Sequence, residues 1–526
     1  MRRETAGRRL PGAGAAVLLL AVAGCAGAAD PGAQPSPTAT TATKTTPPAT
    51  PTQPPAAGLA PRDPALKPYY SQQVSWQECK QIFECAEVEV PLDYGQPQGE
   101  TLTLSIIKHA ANDAESRVGS LLVNPGGPGG SGVQYVENSS SVFGERLLDS
   151  FDIVGFDPRG VGASTPVDCL SDSELDAFIA SDPDPDSAAE VSTTLGLLRD
   201  FTAGCQRSSG DLLSHVSTVE AARDMDILRA LVGEQQINYF GASYGTYLGA
   251  TYAELFPKRV GRMVLDGAVD PSMGPEQMSL VQAGGFQTAL RAYVTDCVAQ
   301  TDCPLGTDVD AGLARITDFF DQLDAAPIAG DGQRQLTQGY AVIGVWLPLY
   351  VKTYWPILTN ALTAAFEGEG AQLLQLADYY TSRGATGFTD NSNEAIYAVN
   401  CLDHPQQVSV ADVERSIPRF EQASPVFGRL FAWGALACSQ WPVRASEPQP
   451  VIDAAGAEPI LVVGTTRDPA TPYEWAVALA DQLESGVLLT RDGDGHTAYH
   501  VGSACIDEAV ESYLVEGAVP PDGKKC

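Results

Sequence analysis

Ile237-Asn238-Tyr239-Phe240-Gly241-Ala242-Ser243-Tyr244-Gly245-Thr246 is an apolar, β-rich run that breaks into Gly-x-Ser-x-Gly and continues in the helical pattern Tyr247-Leu248-Gly249-Ala250-Thr251-Tyr252-Ala253. Strand, sharp turn and helix in that order form the context a nucleophile elbow requires, and Ser243 falls at its tip. A serine there has a strained backbone with neighbouring chain passing close, so glycine at 241 and 245 removes side chains that would collide. The Tyr244 amide then opens a helix, where partial positive charge favours an oxyanion. A strand-to-helix turn without chemistry fits the pentapeptide equally well, so the flanking segments have to decide.

Working outward, Gly119-Ser120-Leu121-Leu122-Val123-Asn124 reads as a strand covered on both faces, opening into Pro125-Gly126-Gly127-Pro128-Gly129-Gly130-Ser131-Gly132. Its glycines let backbone amides approach a ligand, and the Gly127 amide is the first choice for a second oxyanion donor, with Gly126 next. No Walker lysine follows, which sets aside a phosphate loop. Phe151–Asp157 is the next strand; Asp157 and Arg159 after it read as braces for the loop rather than reacting groups. Asp168 to His215 reads as an acidic, loop-rich excursion, and Ser217 to Leu231 as a crossover helix with a Ser/Thr start. Met263-Val264-Leu265-Asp266-Gly267 is another buried strand. Strands alternating with helices imply a parallel sheet whose site lies at the carboxyl ends. Upstream, Ala86–Leu92 and Thr101–Ile107 alternate as antiparallel edge strands, with His109 an ordinary surface residue.

From about 271 to 449 the rhythm turns helical, over Leu280–Val298, Ala311–Ala325, Tyr340–Phe366 and Ala371–Tyr380. This predicts a helical cap inserted into the sheet domain. Glu458-Pro459-Ile460-Leu461-Val462-Val463-Gly464 resumes the sheet, with Asp468 in the loop after it; Gly486–Thr490 is the last strand, and Arg491–His500 a turn carrying His496.

Serine needs a base to take its proton, and the base needs an acid to orient it. Ser243, Asp468 and His496 stand in the chain order Ser, Asp, His, each after a predicted strand, and are the expected triad. Asp266, Asp492 and Asp494 are rival acids, and His500, placed on the final helix, is the rival base; His404 and His215 belong to the cap and the excursion.

The chain has 526 residues, 44% of them hydrophobic, and a formal charge of -33. That length predicts two structural units plus tails. Such acidity repels a phosphate backbone, excluding nucleic acid as a partner class, and suits solubility outside the cell. Met1–Leu10 is basic and Ala13–Ala23 small or apolar, the pattern of a signal peptide ending in Val22-Ala23-Gly24-Cys25. This ending resembles a bacterial lipobox and predicts lipidation at Cys25; an ordinary secretory signal is the alternative, and export follows on either. Residues 26 to 60, mostly Pro, Thr and Ala, predict an extended tether. The expected domains are therefore 1–25 signal, 26–60 tether, 61–270 with 450–526 core, and 271–449 cap. The chain is placed at the membrane only through a lipid anchor facing outward, or is secreted.

Ten further cysteines in an exported chain predict disulfides. Nearest-neighbour spacing pairs Cys79 with Cys85, Cys169 with Cys205, Cys297 with Cys303, Cys401 with Cys438 and Cys505 with Cys526. No zinc-ligand spacing stands out, and the expected chemistry calls for no metal or organic cofactor.

Taken together, Asn124–Gly132, Gly155–Ser164, Gly241–Thr246, Met263–Gly267, Asp468 and Gly495-His496-Thr497 resemble the tripeptidyl aminopeptidase group of secreted bacterial α/β-hydrolases, relatives of the proline iminopeptidases. The resemblance covers about 75–270 and 455–526 and is weak in the cap. It implies an α/β-hydrolase fold, with a mostly parallel central sheet and a helical cap, and a serine exopeptidase acting on the free N-termini of peptides. Ala242 stands where the group usually has a second glycine, and Asn124 where proline iminopeptidases have a histidine near their Gly-Gly-Pro-Gly. An aminopeptidase must also hold a protonated amine, for which Glu394 and Asp403 are candidate carboxylates. A carboxylesterase with the same triad, and a peptide-binding lipoprotein without catalysis, are the alternative readings.

Overall fold

Alternation near the start of the folded region becomes the short β1 (Gln77–Cys79) and two long antiparallel strands, β2 (Phe83–Pro91) and β3 (Thr101–His109). The largely buried strands follow: β4 (Gly119–Asn124), β5 (Phe151–Phe156), β6 (Ile237–Ala242), β7 (Val260–Asp266), β8 (Ile460–Arg467), β9 (Gly486–Asp494) and β10 (Lys524–Lys525). The computed structural model describes residues 61–526, where these ten strands join one sheet in the order β1-β2-β3-β5-β4-β6-β7-β8-β9-β10. Pairing is antiparallel from β1 to β5 and parallel from there on. The expected signal segment, Cys25 and the tether through residue 60 lie outside the described residues.

The chain leaves β4 for β5 on one side and returns to β6 on the other, so the connections after β4 and β6 diverge. That reversal opens a crevice at the carboxyl ends of the two strands, where open α/β sheets place ligands. Register makes the rim level: Asn124 pairs with Gly241, Ala242 with Asp266, and Asp266 with Val463. The loops after β4, β6 and β7 therefore leave the sheet at one height, while β8 runs four residues past Val463 to Arg467 before its loop begins. Helices Thr218–Leu231 and Tyr244–Leu255 cover one face, and Ala504–Glu516 with the shorter Gly132–Glu137 covers the other. β9 runs to Asp494, four residues past its expected end, and β10 adds an unforeseen strand beside it.

Asp157 and Arg159 do brace the loop after β5. Asp157 accepts hydrogen bonds from the Ser131 hydroxyl at 2.5 Å and the amides of Val133 and Ala163, tying that loop to the glycine-rich one. The fully buried Arg159 donates through Nε and Nη2 to both oxygens of Asp224 at 2.7 Å, and its other protons reach the carbonyls of Pro91, Leu92 and His215. Removing one member of such a pair strands a charge in low dielectric. Asp224→Ala is therefore expected to cost about 3–5 kcal/mol of unfolding free energy, measured by urea denaturation.

The excursion at 168–215 is mostly helical rather than loop-rich, with helices Asp172–Ile179 and Ala188–Ser209. Ser187 and Glu190 form a capping box that starts the longer helix, and Leu198, Phe201 and Cys205 make its buried stripe at helical spacing. Leu198 packs in a core shared with helices Pro275–Val298, Val309–Ala325 and Gln338–Tyr350. The expected continuous helix Tyr340–Phe366 breaks after Tyr350 and restarts as Trp355–Phe366, because Pro356 has no amide proton to give and fits only a first turn. Within the insertion, helix Ser392–Asp403 packs instead into the sheet's core through Ala398, Val399 and Leu402. All five cysteine pairs form as their spacing predicted.

Candidate active site

Ser243 closes β6 with φ 57° and ψ -126°, a region that side chains rarely occupy and that must be held by its surroundings. The turn is tight enough that a methyl group on Gly241 would lie 2.3 Å from the Gly245 carbonyl oxygen. The Ser243 amide donates to the Asp266 carbonyl at 2.9 Å. Tyr244, first residue of its helix, has no intrahelical acceptor for its amide.

Gly126, at φ 97°, presses on the elbow so closely that a Cβ there would sit 2.8 Å from Ser243 Cβ and 3.0 Å from the Tyr244 nitrogen. Its amide is already given to Asn124 Oδ1 at 2.9 Å, which removes it as an oxyanion donor. The Gly127 amide has no acceptor among the described residues. Asn124 thus has a structural task at the place where the related histidine was missing.

His496 sits in the turn after β9. Its Nδ1 is 2.9 Å from both carboxylate oxygens of Asp468, and its backbone amide donates to the Tyr350 carbonyl at 2.8 Å. The Tyr350 ring meets the imidazole edge-on at 5.2 Å. Asp468 is 2% exposed and accepts backbone amides from Ala470 and Thr471 at one oxygen and Thr497 at the other. Nδ1 therefore carries the proton toward Asp468, leaving Nε2 as the free base. Burial pulls the imidazole's proton affinity down, but the Asp468 charge and hydrogen bond, helped by Asp266, outweigh it and hold its pKa above the ordinary histidine value.

Ser243 and His496 are both lodged at the end of β7: one is bonded to Asp266, and the Cε1 of the other would lie 3.2 Å from a methyl on Gly267. Among the described residues no hydrogen bond joins the Ser243 hydroxyl to the ring. Catalytic contacts of this kind often tighten only with substrate in place.

The rival acids have other work. Asp266 accepts the amides of Ala498 and Tyr499 and so anchors the histidine turn; burial pushes its carboxyl up to about 6. Asp492 and Asp494 both pair with Arg467, and Asp494 also with Lys352. His500 is exposed in the turn before the last helix rather than on it. His215 pairs with Glu220, His109 bonds the Ser139 hydroxyl, and His404 stacks on Tyr247.

The two amine candidates differ. Asp403 is buried, with its oxygens taken by the Thr218 amide and hydroxyl and by Gln449, so it caps helix Thr218–Leu231 and is not offered to a substrate. Glu394 Oε1 accepts the amides of Cys169 and Leu170, while Oε2 makes no hydrogen bond among the described residues. Its helix, Ser392–Asp403, touches the glycine-rich loop, where a methyl on Gly129 would lie 3.0 Å from the Ser392 carbonyl.

Two contacts were not foreseen. Thr471 Oγ1 lies 3.3 Å from His496 Nδ1, legible in retrospect from Asp468-Pro469-Ala470-Thr471 as a turn folded back on its own aspartate. The Tyr350 carbonyl comes from the insertion, 146 positions before His496, and nothing local announces it.

A family model described as TAP-like protein matches residues 424–526. Over most of its length the chain is similar to three curated proteins. Serine protease Hip1 of Mycobacterium tuberculosis is 37% identical over 485 residues, spanning 88% of this chain and 92% of that one. Carboxylesterase B of the same species is 40% identical over 488 residues, spanning 89% and 92%. Tripeptidyl aminopeptidase of Streptomyces lividans is 33% identical over 472 residues, spanning 86% of each. Likeness of this extent, on the sheet order described above, leaves one family: the chain belongs to the tripeptidyl aminopeptidase-like group of α/β-hydrolases and is a serine hydrolase.

Proposed function

We propose that the chain is an exported exopeptidase that releases short peptides from free N-termini through Ser243, His496 and Asp468. The observation that carries the catalytic part is the Asp468–His496 pair, held by backbone bonds at the rim that Ser243 shares. His496 Nε2 takes the Ser243 proton as Oγ attacks the peptide carbonyl carbon, and the amides of Tyr244 and Gly127 receive the oxyanion. The imidazolium then protonates the leaving amine as the C–N bond breaks. Water, deprotonated in turn by His496, attacks the acyl carbon, and as the bond to Ser243 Oγ breaks the imidazolium returns the proton to that oxygen.

Glu394 supports the N-terminal preference. It is a largely buried carboxylate with one unengaged oxygen, and burial raises its pKa, a cost that an ammonium partner would relieve. The insertion, meeting the site at Gly129 and Tyr350, acts as a cap that limits entry to chain ends. Basic Met1–Leu10, the apolar segment and Cys25 support export with a lipid anchor; a cleaved secretory signal would export the chain without one.

A carboxylesterase is the second reading, favoured by the 40% identical relative of that name and by a triad that serves esters equally well. The test compares a tripeptide p-nitroanilide, its N-acetylated form and a short p-nitrophenyl ester. Acetylation is expected to lower kcat/KM on the anilide at least about 100-fold, since a buried carboxylate left without its ammonium is costly. Equal rates on both anilides, with the ester far faster, would favour the esterase. A protein that never reacts with a fluorophosphonate probe would be a binding module.

A further inference from the structure

Between helices Asp172–Ile179 and Ala188–Ser209 the chain reads Asp182-Pro183-Asp184-Pro185-Asp186-Ser187-Ala188-Ala189-Glu190, and none of these carboxylates takes part in the chemistry above. One oxygen each from Asp182, Glu190 and Asp324 can be chosen so that all lie within 4.8 Å of one another. Oxygen ligands about 2.3–2.6 Å from a calcium ion span that same width. Asp324 comes from a different element, helix Val309–Ala325.

Asp184 adjoins this group. Its amide donates to Asp182 Oδ1 at 2.9 Å, and its own Oδ1 accepts Gln338 Nε2 at 2.8 Å. Arg429, 4.0 Å from the other Asp184 oxygen, is the one cation among the described residues within 4 Å of these carboxylates.

Gln338 supplies an independent observation. It is 6% exposed, its Nε2 ends on Asp184, and its Oε1 has no hydrogen-bond donor among the described residues. Turning the amide over would set that oxygen against the Asp184 carboxylate, so the orphan acceptor belongs to the arrangement. A buried carbonyl oxygen beside clustered carboxylates is short of positive charge, and a hard cation with oxygen ligands supplies it.

We propose that Asp182, Glu190 and Asp324, with Gln338 Oε1 and Asp184 beside them, form a calcium site that clamps the 168–215 excursion to helices Val309–Ala325 and Gln338–Tyr350. Carboxylates drawn from separate elements suit the irregular, larger shell of calcium better than the strict octahedron of magnesium. The clamp is structural and lies outside the reacting groups, so it stands or falls independently of the peptidase reading.

The full-length protein, stripped with a calcium chelator, is titrated with calcium chloride by calorimetry and followed by thermal unfolding. One saturable site is expected, with Kd below about 1 mM, the weak end of extracellular calcium modules, and a Tm that climbs with calcium concentration. Asp324→Asn, at an exposed position that caps no helix, is expected to weaken binding about tenfold or more while fluorophosphonate labelling persists. Asp310→Asn, on the same helix but paired with Arg291, is expected to bind as the parent does. No saturable binding up to about 10 mM calcium, equal affinity in Asp324→Asn and the parent, or magnesium binding as tight as calcium would each overturn the site.

Discussion

Ser243→Ala is expected to reduce kcat on a tripeptide anilide by about 10⁴–10⁶-fold, with fluorophosphonate labelling abolished and the unfolding transition nearly unchanged. Ser243 has two separable roles. Its backbone, at φ 57°, is held by the Asp266 carbonyl and by the close packing of Gly126. Alanine pays the same backbone strain as serine, so the turn persists. Only the nucleophilic oxygen is lost, and the residual rate reflects oxyanion stabilisation by the amides of Tyr244 and Gly127. Activity above about 1% of the parent would remove Ser243 from the chemistry.

Asp468→Asn is expected to lower kcat about 10⁴-fold while leaving substrate binding largely intact. An asparagine NH₂ facing Nδ1 would favour the tautomer with its proton on Nε2, which then cannot accept from Ser243. The pH profile gives a second reading. The neutral imidazole is the active form, so kcat/KM falls as pH drops through its pKa. In the parent that pKa is held above the ordinary histidine value of 6.5, and the acid limb is expected to have its midpoint above pH 6.5. The asparagine variant loses the Asp468 charge that raises it and keeps the burial that lowers it, so its limb moves toward lower pH. A limb that stays in place, or moves upward, would show that Asp468 does not set the protonation of His496.

Gly241-Ala242-Ser243-Tyr244-Gly245 could be read in advance because every demand of an elbow is local: a strand before, a helix after, and no side chains where the chain folds back on itself. The order of Ser243, Asp468 and His496 was readable for a related reason, since each follows a strand whose apolar run is plain. The five cysteine pairs coincide with a nearest-neighbour pairing along the chain. Reading failed where composition hid periodicity. Ala188–Ser209 is rich in Ala, Ser, Thr and Gly, and its sparse apolar stripe shows only once Phe201 and Cys205 meet the sheet's core and Leu198 the insertion's. The Tyr340–Phe366 run carried a local sign of its break in Pro356, overridden in the reading by the apolar character of both halves.

Local order in the chain thus sufficed for the central strands, the turn at Ser243 and the residue types of the reacting set, because short-range sterics and hydrophobic periodicity act within a few residues. Partnership across distance did not follow from it. That the Gly126 amide belongs to Asn124, that Asp403 caps a helix starting at Thr218, and that the Tyr350 carbonyl holds the His496 turn are outcomes of packing. A hydrogen bond has no sequence signature when its two ends meet only after a sheet and its helices have closed around them.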